Sequence, residues 1–394
     1  MDSLLSLGMV VMAGIFGGRL AKKLSLPSVT GYLLTGLLIG PSLLGIITEP
    51  VLDQVAPIND FALGMIGLSI GGELKWKFLR RHWENFSLLF LGESLLTFAL
   101  VFSATYYFSG QFSLALILAI LGLATAPASI LAIIEERKAR GIFPHMLMSI
   151  VAMDNFLCII AFSVATTFLN VYFFGAGANS ALFLELSYEV GLSVMIGFIL
   201  GALGAWVTNS ISEDRHRQVM LTGIMLLAVG LPRQLGISYL FVTLIAGAII
   251  VNFSTSQRKF YSTLHTIDTP ILVLFLTLAG VKLKLGILPQ VGLLGVIYIL
   301  ARVSGKIAGA RLGAFGCKFL PSSCQNVKPA YRRYIGSALI PQAGVAIGLA
   351  LLAEQKLPLR ENLVVTLVLG TIIFFELIGP IFVERTLDKV ESIG

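Results

Sequence analysis

Charge is what this sequence has least of. Asp, Glu, Lys and Arg make up 12% of its 394 residues, about half the 25% or so of a soluble domain, and a water-soluble globular fold is thereby excluded. Cysteine is nearly absent. Cys158 lies inside an apolar stretch and only Cys317 and Cys324 could lie near an interface, so no framework of disulfides or metal ligands is expected. The four histidines, His82, His145, His216 and His265, fall near expected loops without metal spacing, and no glycine-rich phosphate loop precedes a strand–helix unit. Neither an enzyme, a resident cofactor nor a nucleic-acid partner is expected. A signal-cleavage site is missing too, since the first apolar residues run straight into Arg19, Lys22 and Lys23 and read as a first span. Little follows the last apolar run, so no appended soluble regulatory domain is expected.

What is abundant is hydrophobic length. Cutting the chain at polar clusters and Gly/Pro breaks gives thirteen candidate spans, near 3–20, 28–47, 57–76, 86–109, 112–135, 144–173, 181–208, 217–231, 236–252, 267–281, 290–316, 331–354 and 361–383. The fold class is therefore an all-α polytopic membrane protein with thirteen transmembrane helices. Lys and Arg alternate along these cuts: eighteen fall in connections after odd-numbered spans and five in the others. Cytoplasmic loops carry that excess, which places the N-terminus outside and the C-terminus in the cytoplasm. Sliding spans 1–6 over spans 8–13 aligns Gly31–Ile39 with Tyr239–Ile249 and Gly71–Lys75 with Ala279–Lys284. Units seven spans apart run in opposite directions, and two inverted six-helix repeats are the plan of many secondary transporters.

The residues that break the apolar pattern carry the chemistry. Met153-Asp154-Asn155-Phe156 puts a carboxylate and an amide about 15 Å along a helix starting at Pro144, roughly halfway through a hydrocarbon core of about 30 Å. A charge at that depth marks a site or needs a partner. In span 5, Thr125, Pro127 and Ser129 place a proline and two hydroxyls in mid-membrane, and in span 12 Pro341 and Gln342 do the same. Discontinuous helices in corresponding positions point to a midplane binding site where they cross. In span 11, Lys306 lies among Gly305 and Gly309, and Asp154 is its candidate partner, either as a structural staple or as a proton and ion switch. Glu93, Arg302 and Glu376 are structural charge candidates, with Arg302 expected to pair with Glu93 or Glu376.

The stretch from Pro27 to Pro41, with Gly31-Tyr32-Leu33-Leu34-Thr35-Gly36 at its heart, together with Ala124–Ser129, the pair at 154–155 and Lys306, resembles the second monovalent cation:proton antiporter family, the sodium/proton exchangers and glutathione-gated potassium-efflux proteins. That resemblance implies a homodimer and elevator-like exchange of Na⁺, Li⁺ or K⁺ for H⁺. It implies a dimer domain at about 1–80 and 217–285, a mobile core domain at about 86–173 and 290–383, and a linker helix at about 181–208. Asp154 falls on the acidic position that pairs with the lysine matching Lys306 in electrogenic members. Asn155 falls where those members carry the ion-holding aspartate, a departure that leaves one carboxylate and implies one-for-one exchange. Asn155, Thr125, Ser129 and freed backbone carbonyls would then be neutral ligands. Two other readings stay open: the same fold carrying a small anion on Lys306 and Arg302, and a non-transporting sensor or scaffold.

Overall fold

The structure, a computed structural model, describes residues 3–24, 28–48, 52, 54–173, 181–255, 257–283, 288–317, 327–357 and 363–392. Pro27, Lys284, Lys318, Cys324 and Arg360 lie outside them, and of Arg81, His82, Ala128, Arg258 and His265 the backbone alone is described. Every regular element among the described residues is helical. In chain order these are α1 Ser3–Lys23, α2 Ser28–Ile39, α3 Ala56–Glu73, α4 Trp76–Ser109, α5 Phe112–Leu121, α6 Pro127–Glu136, α7 Ile142–Phe173, α8 Ala181–Ser210, α9 Asp214–Gln234, α10 Tyr239–Phe253, α11 Gln257–Val281, α12 Leu288–Gly316, α13 Pro329–Ala338, α14 Gly344–Lys356 and α15 Leu363–Ser392.

Six of these, within α1, α4, α7, α8, α12 and α15, are long and apolar enough to cross a membrane by length and composition. Others are short: α2 has 12 residues and reaches about 18 Å. Two helices begin well before the apolar runs that betray them, α4 at Trp76 and α11 at Gln257 rather than near 86 and 267. Their first turns are basic and aromatic and contain neither Gly nor Pro. Nothing stops the helix there, whereas a hydropathy window sees only its apolar part.

The chain divides into two compact units, Met1–Lys75 with Thr166–Lys284, and Trp76–Ala165 with Leu285–Gly394. In the first, α3 and α10 meet through glycine: a Cβ on Gly71 would run into the Leu244 carbonyl, and one on Gly247 into that of Leu68. Small residues of this kind let helix backbones touch where lipid supplies no hydrophobic drive for association. Near one end of this unit, Asp60 on α3 is held by Arg233 at 3.0 Å and by the Tyr239 hydroxyl at 2.9 Å. That staple joins α3, α9 and the start of α10.

The second unit has a core of Phe86, Leu89, Ile130, Phe143, Leu147, Ile150, Ile335, Val383 and Leu387, drawn from α4, α6, α7, α13 and α15. Here α12 lies against α4 so closely that a Cβ on Gly309 would stand 2.6 Å from the Glu93 Cα. This approach brings Glu93 to α12. Cys317, just past α12, is disulfide-bonded and Cys158 is free. The expected absence of disulfides is thereby corrected, since pairing depends on the path of a loop that sequence spacing does not reveal.

Candidate functional site

Both breaks fall in the second unit. Helix α5 stops at Leu121, residues 122–126 lie outside regular helix, and α6 starts at Pro127, which has no N–H to continue the ladder. Helix α13 stops at Ala338, and α14 begins at Gly344 beyond Pro341. The Ala126 N–H donates to the Pro341 carbonyl at 2.9 Å, so the two interrupted stretches touch.

A helix end buried in apolar surroundings leaves carbonyls that must find donors. Here each one does. The Leu121 carbonyl accepts from Gln342 Nε2 at 2.7 Å, Gly122 from Arg302 Nε at 2.9 Å, Leu123 from Lys306 Nζ at 2.9 Å, Ala124 from Arg302 Nη2 at 2.7 Å, and Thr125 from Asn155 Nδ2 at 2.7 Å. Arg302 Nη1 also donates to the Ile340 carbonyl at 2.6 Å. Carbonyls expected as ion ligands are thus occupied by side-chain donors, two of them cationic. Arg302 is fully buried, and beyond its three carbonyls it lies 4.6 Å over the Phe375 ring. The C-terminal ends of α5 and α13, each worth about half a negative charge, together supply roughly the charge that offsets its guanidinium. Its expected ion pair with Glu93 or Glu376 does not form, because the opened backbone is nearer.

Lys306 is the junction. Its Nζ lies 2.8 Å from Asp154 Oδ2 and 2.9 Å from Glu93 Oε2, and all three side chains are fully buried. Thr125 Oγ1 donates to the same Asp154 oxygen at 2.7 Å, and Ser94 Oγ to Glu93 Oε1 at 3.1 Å. Asp154 Oδ1 is buried and has no partner among the described residues. The same holds for Thr97 Oγ1, one turn beyond Glu93 and packed against Gly305. The sequence brings Asp154, Thr125 and Lys306 together as expected. It did not reveal that Glu93 shares the lysine, although Gly305 and Gly309 on α12 signal a helix pressed close to it.

Asn155 is used differently from the expectation. Its Oδ1 accepts the Thr125 N–H at 3.3 Å, while its Nδ2 donates to the Thr125 carbonyl at 2.7 Å and to the Val151 carbonyl at 3.0 Å. The amide mimics a peptide and clamps the interrupted stretch, with its oxygen turned to the Thr125 N–H and its nitrogen to the Thr125 and Val151 carbonyls. A carboxylate in its place would turn acceptors onto two buried carbonyls. Asn155→Asp is therefore expected to cost about 1–3 kcal/mol, read as a lowered Tm in detergent, and to add no transport.

Ser129 also departs from the expected set. It donates to both carboxylate oxygens of Glu376 at 3.0 Å instead of joining Asp154. Gln342 bonds the Tyr298 hydroxyl at 2.9 Å besides its carbonyl, so Pro341 and Gln342 are parts of the break and its repair. Groups of His, Cys, Asp and Glu able to hold a resident metal ion are absent among the described residues.

The family model described as sodium/hydrogen exchanger, transmembrane, matches residues 8–389. A glutathione-regulated potassium-efflux system protein of Haemophilus influenzae is 27% identical over 312 residues, 74% of this chain and 48% of that protein. The chain thus spans about half the length of that curated relative. Among solved structures, the sodium proton antiporter MjNhaP1 of Methanocaldococcus jannaschii at pH 8 superposes with a TM-score of 0.70 at 20% identity, covering 99% of this chain and 96% of that one. An electron-microscopy map of the same antiporter gives the same TM-score and identity with 100% and 97% coverage. These two structures share the fold of this chain.

Proposed function

The chain belongs to the sodium/hydrogen exchanger family, and from that premise we propose that it exchanges a monovalent cation, Na⁺, Li⁺ or K⁺, for H⁺, with Asp154 as the group that holds one or the other. The observation that carries this reading is the shared lysine. With Glu93 and Asp154 ionised, Lys306 compensates one buried negative charge, and Arg302 is offset by the carbonyl ends around it. The remaining negative charge calls for a proton or a monovalent cation, since an uncompensated ion is costly in this surrounding. Asp154 Oδ1 is the oxygen left for it. One charge shared by two cargoes supports one-for-one, electroneutral exchange.

Thr125 orients Asp154 and Asn155 holds Thr125, so the two neutral residues position the carboxylate. When a cation takes Asp154, Lys306 keeps Glu93 and the Leu123 carbonyl as partners. This second acceptor set is what lets Lys306 release Asp154 without becoming an isolated buried charge.

The larger frame of the proposal is thirteen transmembrane helices in two inverted six-helix repeats, with the interrupted stretches 122–126 and 339–343 in matching places. The protein works by alternating access as a homodimer in the inner membrane, N-terminus outside. Its dimer domain is at about 1–80 and 217–285, its transport domain at about 86–173 and 290–383, and its linker helix at about 181–208. The two compact units support a division of this kind. The donors of Arg302 and Lys306 are directed at carbonyls and carboxylates, which weighs against an anion as cargo. In proteoliposomes holding a pH dye, adding Na⁺, Li⁺ or K⁺ outside is expected to alkalinise the lumen with at least one of them, as protons leave against the entering cation. A flat trace with all three sinks the proposal.

A further inference from the structure

The mechanism above makes no use of the most isolated buried acid in the second unit. Glu376 lies near the middle of α15 and is fully buried. Its two carboxylate oxygens accept from one donor, the Ser129 hydroxyl on α6, at 3.0 Å each. No ion pair to Glu376 is present among the described residues. The helix adds a further oxygen: Pro380 stands four residues on, inside α15, and has no N–H to donate to the Glu376 carbonyl.

The charged groups on the elements packed against α15 are committed elsewhere. On α12, Arg302 is spent on three carbonyls and the Phe375 ring, and Lys306 on Asp154 and Glu93. Tyr298 of α12 is bonded to Gln342. Arg332 and Arg333 lie in the first half of α13, Glu354 and Lys356 in the last turn of α14, and Glu135 and Glu136 at the end of α6 away from Ser129. On α15 itself, Glu384 and Asp388 are held by Arg137.

A carboxylate in this position therefore has hydrogen-bonding oxygen around it and no counter-charge. A monovalent cation prefers several oxygen donors, and the described side chains offer one hydroxyl. A proton needs only the carboxylate. We propose that the Glu376–Ser129 pair is a second proton-binding site, which takes up and releases a proton during the transport cycle separately from the Asp154–Lys306–Glu93 cluster. On release, the carboxyl O–H bond breaks, the proton passes to water, and the carboxylate is left accepting the Ser129 hydroxyl. Uptake reverses the step. The one-for-one exchange proposed above then describes the Asp154 cluster by itself, a proton turned over at Glu376 adds to that count, and the proposal rests on that antiport reading for this last consequence alone.

The test is infrared difference spectroscopy of the reconstituted full chain across a pH jump, with proton release on Na⁺ or K⁺ addition measured in parallel. The carbonyl band of a protonated carboxylic acid is expected to vanish as pH is raised in the wild type and in Asp154→Asn. In Glu376→Gln the component of that band seen in Asp154→Asn is expected to be missing, and fewer protons are released per cation bound. Ser129→Ala keeps the acid but removes its donor, so the band should move to higher wavenumber, which decides the matter even where the glutamine variant does not fold. Spectra and proton release in Glu376→Gln that match wild type, or a band unmoved in Ser129→Ala, would overturn the proposal. A failure of the Asp154 reading shows itself differently, as cation-evoked proton release that survives in Asp154→Asn.

Discussion

Asp154→Asn is expected to silence cation-evoked proton movement in proteoliposomes, reducing it to the leak of protein-free vesicles, while the protein remains folded. The loss of transport follows from the charge count. Asparagine cannot carry a proton in exchange for a cation, and the next residue is Asn155, whose amide clamps Thr125 and likewise has no proton to exchange. Losing a buried charged partner is worth about 3–5 kcal/mol, a reduction of roughly 10²- to 4 × 10³-fold in affinity for the cation. The retention of fold follows from Glu93. Lys306 still has a carboxylate at 2.9 Å and the Leu123 carbonyl at 2.9 Å, so no cation is stranded. Flux with a pH dye and a thermal melt on the same preparation read the two halves separately.

Lys306→Gln is the larger structural injury. It leaves Glu93 and Asp154 buried together with no cation between them and withdraws a donor from Leu123. The expected cost at neutral pH is about 3–5 kcal/mol, seen as a sharply lowered Tm or poor recovery from the membrane. Protonating one acid relieves the repulsion, so the variant should be less impaired in acid than at neutral pH. Adding Glu93→Gln should recover part of the loss, and the double-mutant cycle gives the coupling of this pair. A Lys306→Gln protein as stable as wild type, with no dependence on Glu93, would contradict the shared-lysine geometry.

The parts of this site that were legible in the sequence are those where one residue type offends its surroundings. Asp154 stands out as the one charge in its apolar run and Lys306 as a charge far from either end of its span, and a buried acid and base attract whatever the detailed path of the helices. Pro127 and Pro341 mark the breaks because the missing N–H is a local property. What stayed hidden depends on three-dimensional accounting. Pro127 signals that carbonyls are freed near it, but not that Gln342, Lys306 and Asn155 would each take one of carbonyls 121–125 and Arg302 two. The departure at Asn155 looked like a lost ligand, yet a carboxylate could not donate to the Thr125 carbonyl as the amide does. Ser129, two residues beyond Pro127, is expected from its hydroxyl at the break to be a neutral ion ligand with Thr125, whereas it donates to Glu376. Helix starts were missed at Trp76 and Gln257 for a simpler reason, that a polar turn of helix has no hydropathy signal.

The central claim is that proton and cation compete for one carboxylate. Titrating Na⁺, Li⁺ or K⁺ into purified protein in weakly buffered detergent solution, with a pH dye as reporter, tests it most directly. The account predicts proton release on cation binding, an apparent affinity that falls as pH is lowered, and loss of the signal in Asp154→Asn. Cation binding that releases no proton and keeps the same affinity across pH would contradict it.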